Sequence, residues 1–285
     1  MTTALHEPSV VELHRRGFRR RQTSRSVLIA ILSTLVFAAV AWFAIVNTSG
    51  WARVQHSFFD PAVLATAWPR VISGLWLNIR VLFFAAIGVL LLSILLASLR
   101  TLRGPIFFPV RALVAGYTDL FRGLPLIIVL YLVGFGIPGL RLDIPRFPAE
   151  FWGTVALILT YSAYVSEVFR AGIESVHPSQ RLAARSLGLS HGQTMRLVVL
   201  PQAIRKVTPA LMNDFVAMQK DVGLISVLGA IDAVRAAQIE TASSFNFTPY
   251  VLAGLLFVLL ALPMIRLTDW YTARMRAREQ AGSIV

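Results

Sequence analysis

The sequence predicts an all-α integral membrane protein with about six transmembrane helices. Three observations carry that prediction. The first is composition: 56% of the 285 residues are hydrophobic and only 14% are charged, with a mean hydropathy of +0.68. A soluble domain holds about 25% charged residues. The second is a set of apolar runs long enough to cross a bilayer, for which about 20 residues suffice. The third is how the basic residues are distributed between them.

The first run, 27–46 (VLIAILSTLVFAAVAWFAIV), has no charge. It follows a basic stretch, as a signal peptide would. It is too long for a typical signal core and lacks a clear small-residue cleavage site, so it reads as a retained anchor. Run 75–99 carries one charge, Arg80, near an end where it can snorkel to the interface. Run 110–135 is interrupted by DLFRGLP, and run 152–169 is shorter. Run 207–230 is the least apolar, holding Asn213, Asp214, Gln219, Lys220 and Asp221. Run 249–267 closes the set. The segment 47–74 before the second run carries Trp51, Phe58, Phe59 and Trp68. It reads as an interfacial connection, with contact to an external protein as the alternative.

Arginine dominates the net charge of +13, Lys206 and Lys220 being the only lysines. With the N-terminus inside, the segments 1–26, 100–111, 170–206 and 266–285 hold 19 of the 27 basic residues, and 47–74, 136–151 and 231–248 hold five. Basic residues collect on cytoplasmic loops, so both termini are expected in the cytoplasm. The same asymmetry assigns the basicity to the membrane rather than to nucleic acid. Without cysteine there is no disulfide or thiolate site, and the five scattered histidines lie outside the apolar runs. No nucleophile–histidine pair or metal cluster supports an enzyme that would use Asp214, Asp221 and Glu167 as acids or bases.

Between the fourth and fifth runs lies a mixed stretch, 171–206, too long for a structureless loop in a compact protein. Pro178 suits a first helical turn. QRLAARSL follows, and Gly188 can supply a left-handed cap. Ser190 with Gln193 matches a capping box that opens a second helix, and Pro201 is expected to end it. Two short helices with a glycine elbow are therefore expected over 178–201. They would either rest on lipid headgroups or dock a partner.

Here a resemblance becomes specific. Ala183, Ala184, Gly188, Val198, Leu200 and Pro201 fall at the offsets of the E-A-A, three residues, G, nine residues, I-x-L-P loop. The stretch resembles that loop in permease subunits of bacterial ATP-binding cassette importers. LFRGLPLI (120–127), YSAYVSEVFRAGIESV (161–176), LPQAIRK (200–206) and MQKDVGLISVLG (218–229) resemble the polar amino acid uptake branch. The resemblance covers about 75–285. It implies the type I importer fold: a five-helix core over 75–267, with coupling helices at about 178–201 that dock the ATPase. The basic tail 1–26, the span 27–46 and the external segment 47–74 are additions, and 268–285 is a second cytoplasmic tail. Two departures stand out. Leu182 occupies the usual glutamate position, and Val222 and Gly223 replace a frequent Thr-Ser pair.

The resemblance also implies partners: a dimer of ATPases that binds ATP and magnesium, a second permease copy or sister permease, an external amino-acid-binding protein, and an amino acid substrate. This chain would lie in the inner membrane among lipid and bind no cofactor itself. Arg205 precedes Lys206 and Gln219 precedes Lys220, so neither lysine belongs to a phosphate-binding Gly-Lys-Ser/Thr loop.

A charge at bilayer depth costs at least about 2.5 kcal/mol, so such groups are expected to face protein or a water-filled cavity. Asn213 and Lys220 are seven residues apart, as are Asp214 and Asp221, which predicts one broad polar face. That face either lines a translocation path or braces helices, for example through Lys220 with Glu167 or Asp221. Arg122 precedes Gly123-Leu124-Pro125, where the helix is expected to kink. Its guanidinium suits a substrate carboxylate in two-point geometry, or pairs with Asp119 one turn earlier. Glu167 would receive a substrate ammonium, or serve as partner of Arg122 or Lys220. An ion-gradient-driven secondary transporter or channel is the competing reading of these carboxylates, though it leaves the 178–201 helices without a role.

Overall fold

The computed structural model of the chain describes residues 10–102, 104–143 and 145–282. The ends of the two expected tails, 1–9 and 283–285, lie outside the described residues. Every element within them is helical: α1 (Val10–Val46), α2 (Trp51–Phe58), α3 (Pro61–Arg100), α4 (Phe108–Gly123), α5 (Leu126–Tyr131), α6 (Ile137–Gly139), α7 (Ala149–Glu174), α8 (Pro178–Ser186), α9 (His191–Thr194), α10 (Leu200–Asp221), α11 (Ala233–Ser244) and α12 (Thr248–Gly282).

The chain forms two units, Met1–His56 and Ser57–Val285. In the first, the apolar stretch Arg25–Val46 is the end of a longer helix that starts at Val10. The part of the basic tail from Val10 onward is therefore helical and continuous with the first apolar run. None of the apolar window is buried within the chain, as suits a surface facing lipid.

In the second unit α3 begins at Pro61, not near residue 75. Asp60 caps it, its carboxylate accepting from the amides of Ala62 at 2.9 Å and Val63 at 3.3 Å. Pro61 then supplies a first-turn residue that needs no amide partner. At about 1.5 Å per residue this helix is about 60 Å long, twice the hydrocarbon thickness. Its two halves have different neighbours. Ala67 and Val71 pack with Ala233, Ala236 and Ala237 of α11 and with Leu252, Ala253 and Leu256 of α12. Further along, Val81, Leu82, Ala85 and Val89 pack with Trp152, Ala156, Leu157, Tyr161 and Val165 of α7. Small side chains dominate the first set, because helix association in a bilayer depends on close backbone approach rather than on expelling water, whereas larger ones, Leu82, Trp152, Leu157 and Tyr161, fill the second.

The expected break after α4 is sharp. Leu124 is extended, Pro125 follows, and the chain turns by 108° into α5. A π turn at Leu132–Gly136 then leads into α6. The fourth apolar run is the centre of α7, whose 26 residues span about 39 Å.

The 178–201 stretch forms two helices as expected, but the second does not stop at Pro201. From His191 it passes through a π turn at Met195–Val199 into α10. Pro201 sits in the first turn of α10, where its missing amide matters little, and the wider π turn carries the chain past the proline ring. After α10 a 3₁₀ segment, Val222–Leu228, ends at Gly229, whose φ is +89°. The chain then bends by 52° into α11. Among the described residues three helices are long and apolar enough to cross a membrane, and up to five spans result if each of the two bent pairs is one.

Candidate functional site

The elbow between α8 and α9 has the geometry its residues predict. Gly188 has a φ of +84°, a left-handed conformation that costs a side-chain-bearing residue energy. Its amide donates to Arg185 O at 3.0 Å and the Leu189 amide to Ala184 O at 3.2 Å. Ser190 and Gln193 form the reciprocal capping box: the Ser190 amide donates to Gln193 Oε1 at 2.8 Å and the Gln193 amide to Ser190 Oγ at 3.3 Å. Inward contacts hold the pair in place. Ala184 and Val199 are buried, Val198 is half-buried, and the Arg181 guanidinium donates to Ile173 O. Outward, Ala183 and Pro201 are exposed, and so are Leu182, Leu187, Leu197 and Leu200, at 66%, 84%, 61% and 37%. The hairpin therefore presents an apolar knob that this chain leaves uncovered.

A second set of residues gathers around Glu167 on α7. Its carboxylate is ion-paired with Arg100 from the end of α3 and with Arg170 at 2.8 Å, and Arg122 from the end of α4 lies 4.0 Å away. Three guanidiniums thus share one carboxylate, with Glu174 taking the other side of Arg170 at 2.6 Å. Arg122 also lies over the Tyr164 ring, 5.9 Å from its centroid, while the Tyr164 hydroxyl donates to Arg122 O at 3.1 Å. The carboxylate near Arg122 is Glu167, and Asp119 makes no ion pair among the described residues. Arg122 keeps 44% of its side chain exposed.

The four polar residues of α10 do not share one face. Asn213 and Lys220 are exposed, whereas Asp214 and Asp221 are half-buried toward α7. Adjacent helical positions differ by about 100°, which separates the two pairs. Asp221 accepts a 2.7 Å hydrogen bond from the Tyr161 hydroxyl. Asp214 lines a largely apolar cleft with Tyr161, Met212, Met218 and Met264, and its Oδ2 is buried without a hydrogen-bond partner. Lys220 makes no ion pair with Glu167 or Asp221.

Residues 91–277 match the family described as binding-protein-dependent transport system inner membrane component. This chain belongs to that family. Its relatives include the arginine transport system permease protein ArtQ of Bacillus subtilis (strain 168), 34% identical over 68% of this chain and 87% of that protein. The probable glutamine ABC transporter permease protein GlnM of the same organism is 32% identical over 71% of this chain and 92% of its own length. Among solved structures, an amino acid ABC transporter described as having histidines is 33% identical, with a TM-score of 0.67 over 74% of this chain and 96% of that chain.

This inner membrane component also contains buried polar residues whose partners lie far away in the sequence. Asn78 and Asp232 are fully buried and joined at 2.9 Å through Asn78 Nδ2 and Asp232 Oδ2. Asn78 was visible as a lone amide inside an apolar run, yet nothing local indicates a partner 154 residues away. Arg100 reads from the sequence as one of the basic residues of the inner segment 100–111. Only the packing of α3 on α7 brings it to Glu167.

Proposed function

We propose that this chain is the membrane-spanning permease subunit of an ATP-driven importer for a polar amino acid. It would work in the inner membrane, as a pair with a second copy or a sister permease. A dimer of cytoplasmic ATPases would bind ATP and magnesium, and an external binding protein would deliver the substrate. Six spans are assigned: the α1 anchor, α3, the bent α4–α5 pair, α7, the α10–α11 pair and α12, with both termini cytoplasmic. The observation that carries this reading is the 178–201 hairpin. An uncovered apolar knob, built on a capped left-handed elbow, carries the spacing of the ATPase-docking loop. An ion-gradient-driven transporter needs no such knob, and the family relationship favours the ATP-driven reading.

ATP binding closes the ATPases, and Leu182, Ala183, Ala184, Gly188, Val198, Leu200 and Pro201 belong to the element that transmits the motion. It enters α10 directly, because α9, the π turn and α10 form one continuous run. Nucleotide and substrate thereby bias the same inward–outward equilibrium. Arg122, Asn213 and Lys220 line the path. They are exposed in the isolated chain, and at bilayer depth such groups face a water-filled cavity rather than lipid. Arg122 meets the substrate carboxylate. Glu167, engaged by three guanidiniums, aims Arg122, and Asp221 braces α10 on α7 through Tyr161.

Uptake by proteoliposomes tests the proposal. Transport that requires ATP and the binding protein is expected, and uptake driven by a proton gradient alone would falsify it. Arg122→Ala should abolish uptake while the complex still assembles; normal transport by the assembled variant removes Arg122 from the path.

A further inference from the structure

The α4–α5 bend leaves part of α7 uncovered. After Pro125 the chain runs to the Trp152–Gly153 side of α7, where Gly134 abuts Leu228 and Gly153 abuts Ile225. On the opposite side Phe151, Thr154, Val155 and Ile158 share a face and, with α3, form a cleft of about 370 Å³. Its walls are mostly apolar, and Phe84 of α3 and Phe151 are 61% and 38% exposed. Two charged residues also line it, Arg80 from α3 and Glu150 from the first turn of α7. Neither side chain has an ion-pair or hydrogen-bond partner among the described residues.

The depth of the cleft is set by the two helices. Arg80 lies about 30 Å along α3 from Arg100, and Glu150 about 26 Å along α7 from Glu167, with which Arg100 pairs. Both charges therefore sit about one hydrocarbon thickness along their helices from that pair, toward the ends remote from the 178–201 hairpin. A guanidinium and a carboxylate that line one apolar groove without pairing complement a ligand that is itself a zwitterion with a long apolar tail.

We infer that this cleft binds a phospholipid with a primary-amine headgroup, of the phosphatidylethanolamine class. The lipid phosphate pairs with Arg80, its ammonium donates to Glu150, and an acyl chain lies against Phe84, Phe151 and Ile158. A free amino acid would satisfy the two charges but leave the apolar groove empty. The site is independent of the transport reading: it requires only that the chain spans a bilayer.

Native mass spectrometry of the purified transporter, with competing lipids, tests this directly. Wild type should retain phosphatidylethanolamine over phosphatidylglycerol, which lacks the ammonium, and over phosphatidylcholine, which cannot donate from it. Arg80→Gln should reduce phosphatidylethanolamine retention about tenfold, the worth of one charge-assisted contact. Glu150→Gln should reverse the preference toward phosphatidylglycerol, a change that a purely structural role does not produce. Equal retention of the three lipids by wild type overturns the inference, as does an unchanged preference in Glu150→Gln. Should Arg80→Gln fail to assemble, those two measurements still decide. The chain has no cysteine, so a Phe84→Cys variant reports on the alternative cover. A disulfide between two such copies means that a second subunit, not lipid, fills the cleft, whereas its absence under oxidation supports the lipid.

Discussion

Two elbows in this protein are built on the same local plan, and their surroundings differ completely. Both place a left-handed glycine after one helical segment and a polar cap before the next: Gly188 then Ser190, and Gly229 then Asp232. At Ser190 the cap is local and exposed, closed by Gln193 three residues on. At Asp232 it is fully buried. The Asp232 carboxylate accepts from the Arg235 amide at 2.8 Å and from Asn78 Nδ2 at 2.9 Å. Asn78 in turn accepts from the Ala233 amide at 3.0 Å and donates to Val222 O at 3.2 Å. Gly74, one turn earlier on α3, lets this backbone approach: a Cβ there would lie 2.4 Å from the Asp232 carbonyl carbon. The cap of the first elbow is closed within its own hairpin, which Ala184, Val199 and the Arg181–Ile173 hydrogen bond tie inward. The second is clamped from a distant helix. An elbow of the first kind suits the docking role proposed for the hairpin, and one of the second kind fixes α11 against α3.

The contrast makes the buried elbow the costlier one to disturb. Asp232→Ala strips a partner from Asn78 and from the first turn of α11, all out of reach of water. It should destabilise the purified transporter by about 3 kcal/mol, read as a fall in melting temperature and in yield of assembled complex. Gly74→Ala should cost about 2 kcal/mol, because the clash is with backbone that no rotamer change relieves. A melting temperature equal to wild type for Gly74→Ala would mean that the approach of α11 to α3 is looser than its contacts require.

At the exposed elbow the expected order reverses between stability and function. A Cβ at Gly188 meets nothing within 4 Å among its non-neighbouring residues, so the main cost of Gly188→Val is backbone strain of about 1–2 kcal/mol. The spans should fold, while ATPase binding and ATP-driven uptake are lost, measured by co-purification and transport. Retained coupling in that variant would remove the hairpin from the docking role. Ser190→Ala should have the smallest effect, about 1 kcal/mol from the lost cap, with uptake reduced rather than abolished. If Ser190→Ala proved as damaging as Asp232→Ala, the two elbows would not differ in the way their burial indicates.

The same division governs what could be read from the chain. The α8–α9 elbow was legible because its capping box and its glycine lie within six residues of each other. The kink at Pro125 was legible for the same reason, since a proline ring acts on its own turn. The start of α3 was equally local, in Asp60-Pro61, but the aromatic residues around it suggested an interfacial connection. Pro201 misled in the opposite direction. A proline reads as a helix end, yet the preceding π turn let the run pass through it.

Composition and arginine placement by themselves determined that this is a helical membrane protein, because a bilayer admits few alternatives to apolar helices with satisfied backbones. The spacing of the 178–201 stretch determined its helix–elbow–helix form, because caps act within one turn. The partners of the charges were decided only by the tertiary structure. A seven-residue interval cannot tell that Asp221 turns to Tyr161 while Lys220 turns away, nor that Arg100 reaches Glu167. Those meetings depend on how α3, α7 and α10 pack, through contacts between residues far apart in the sequence.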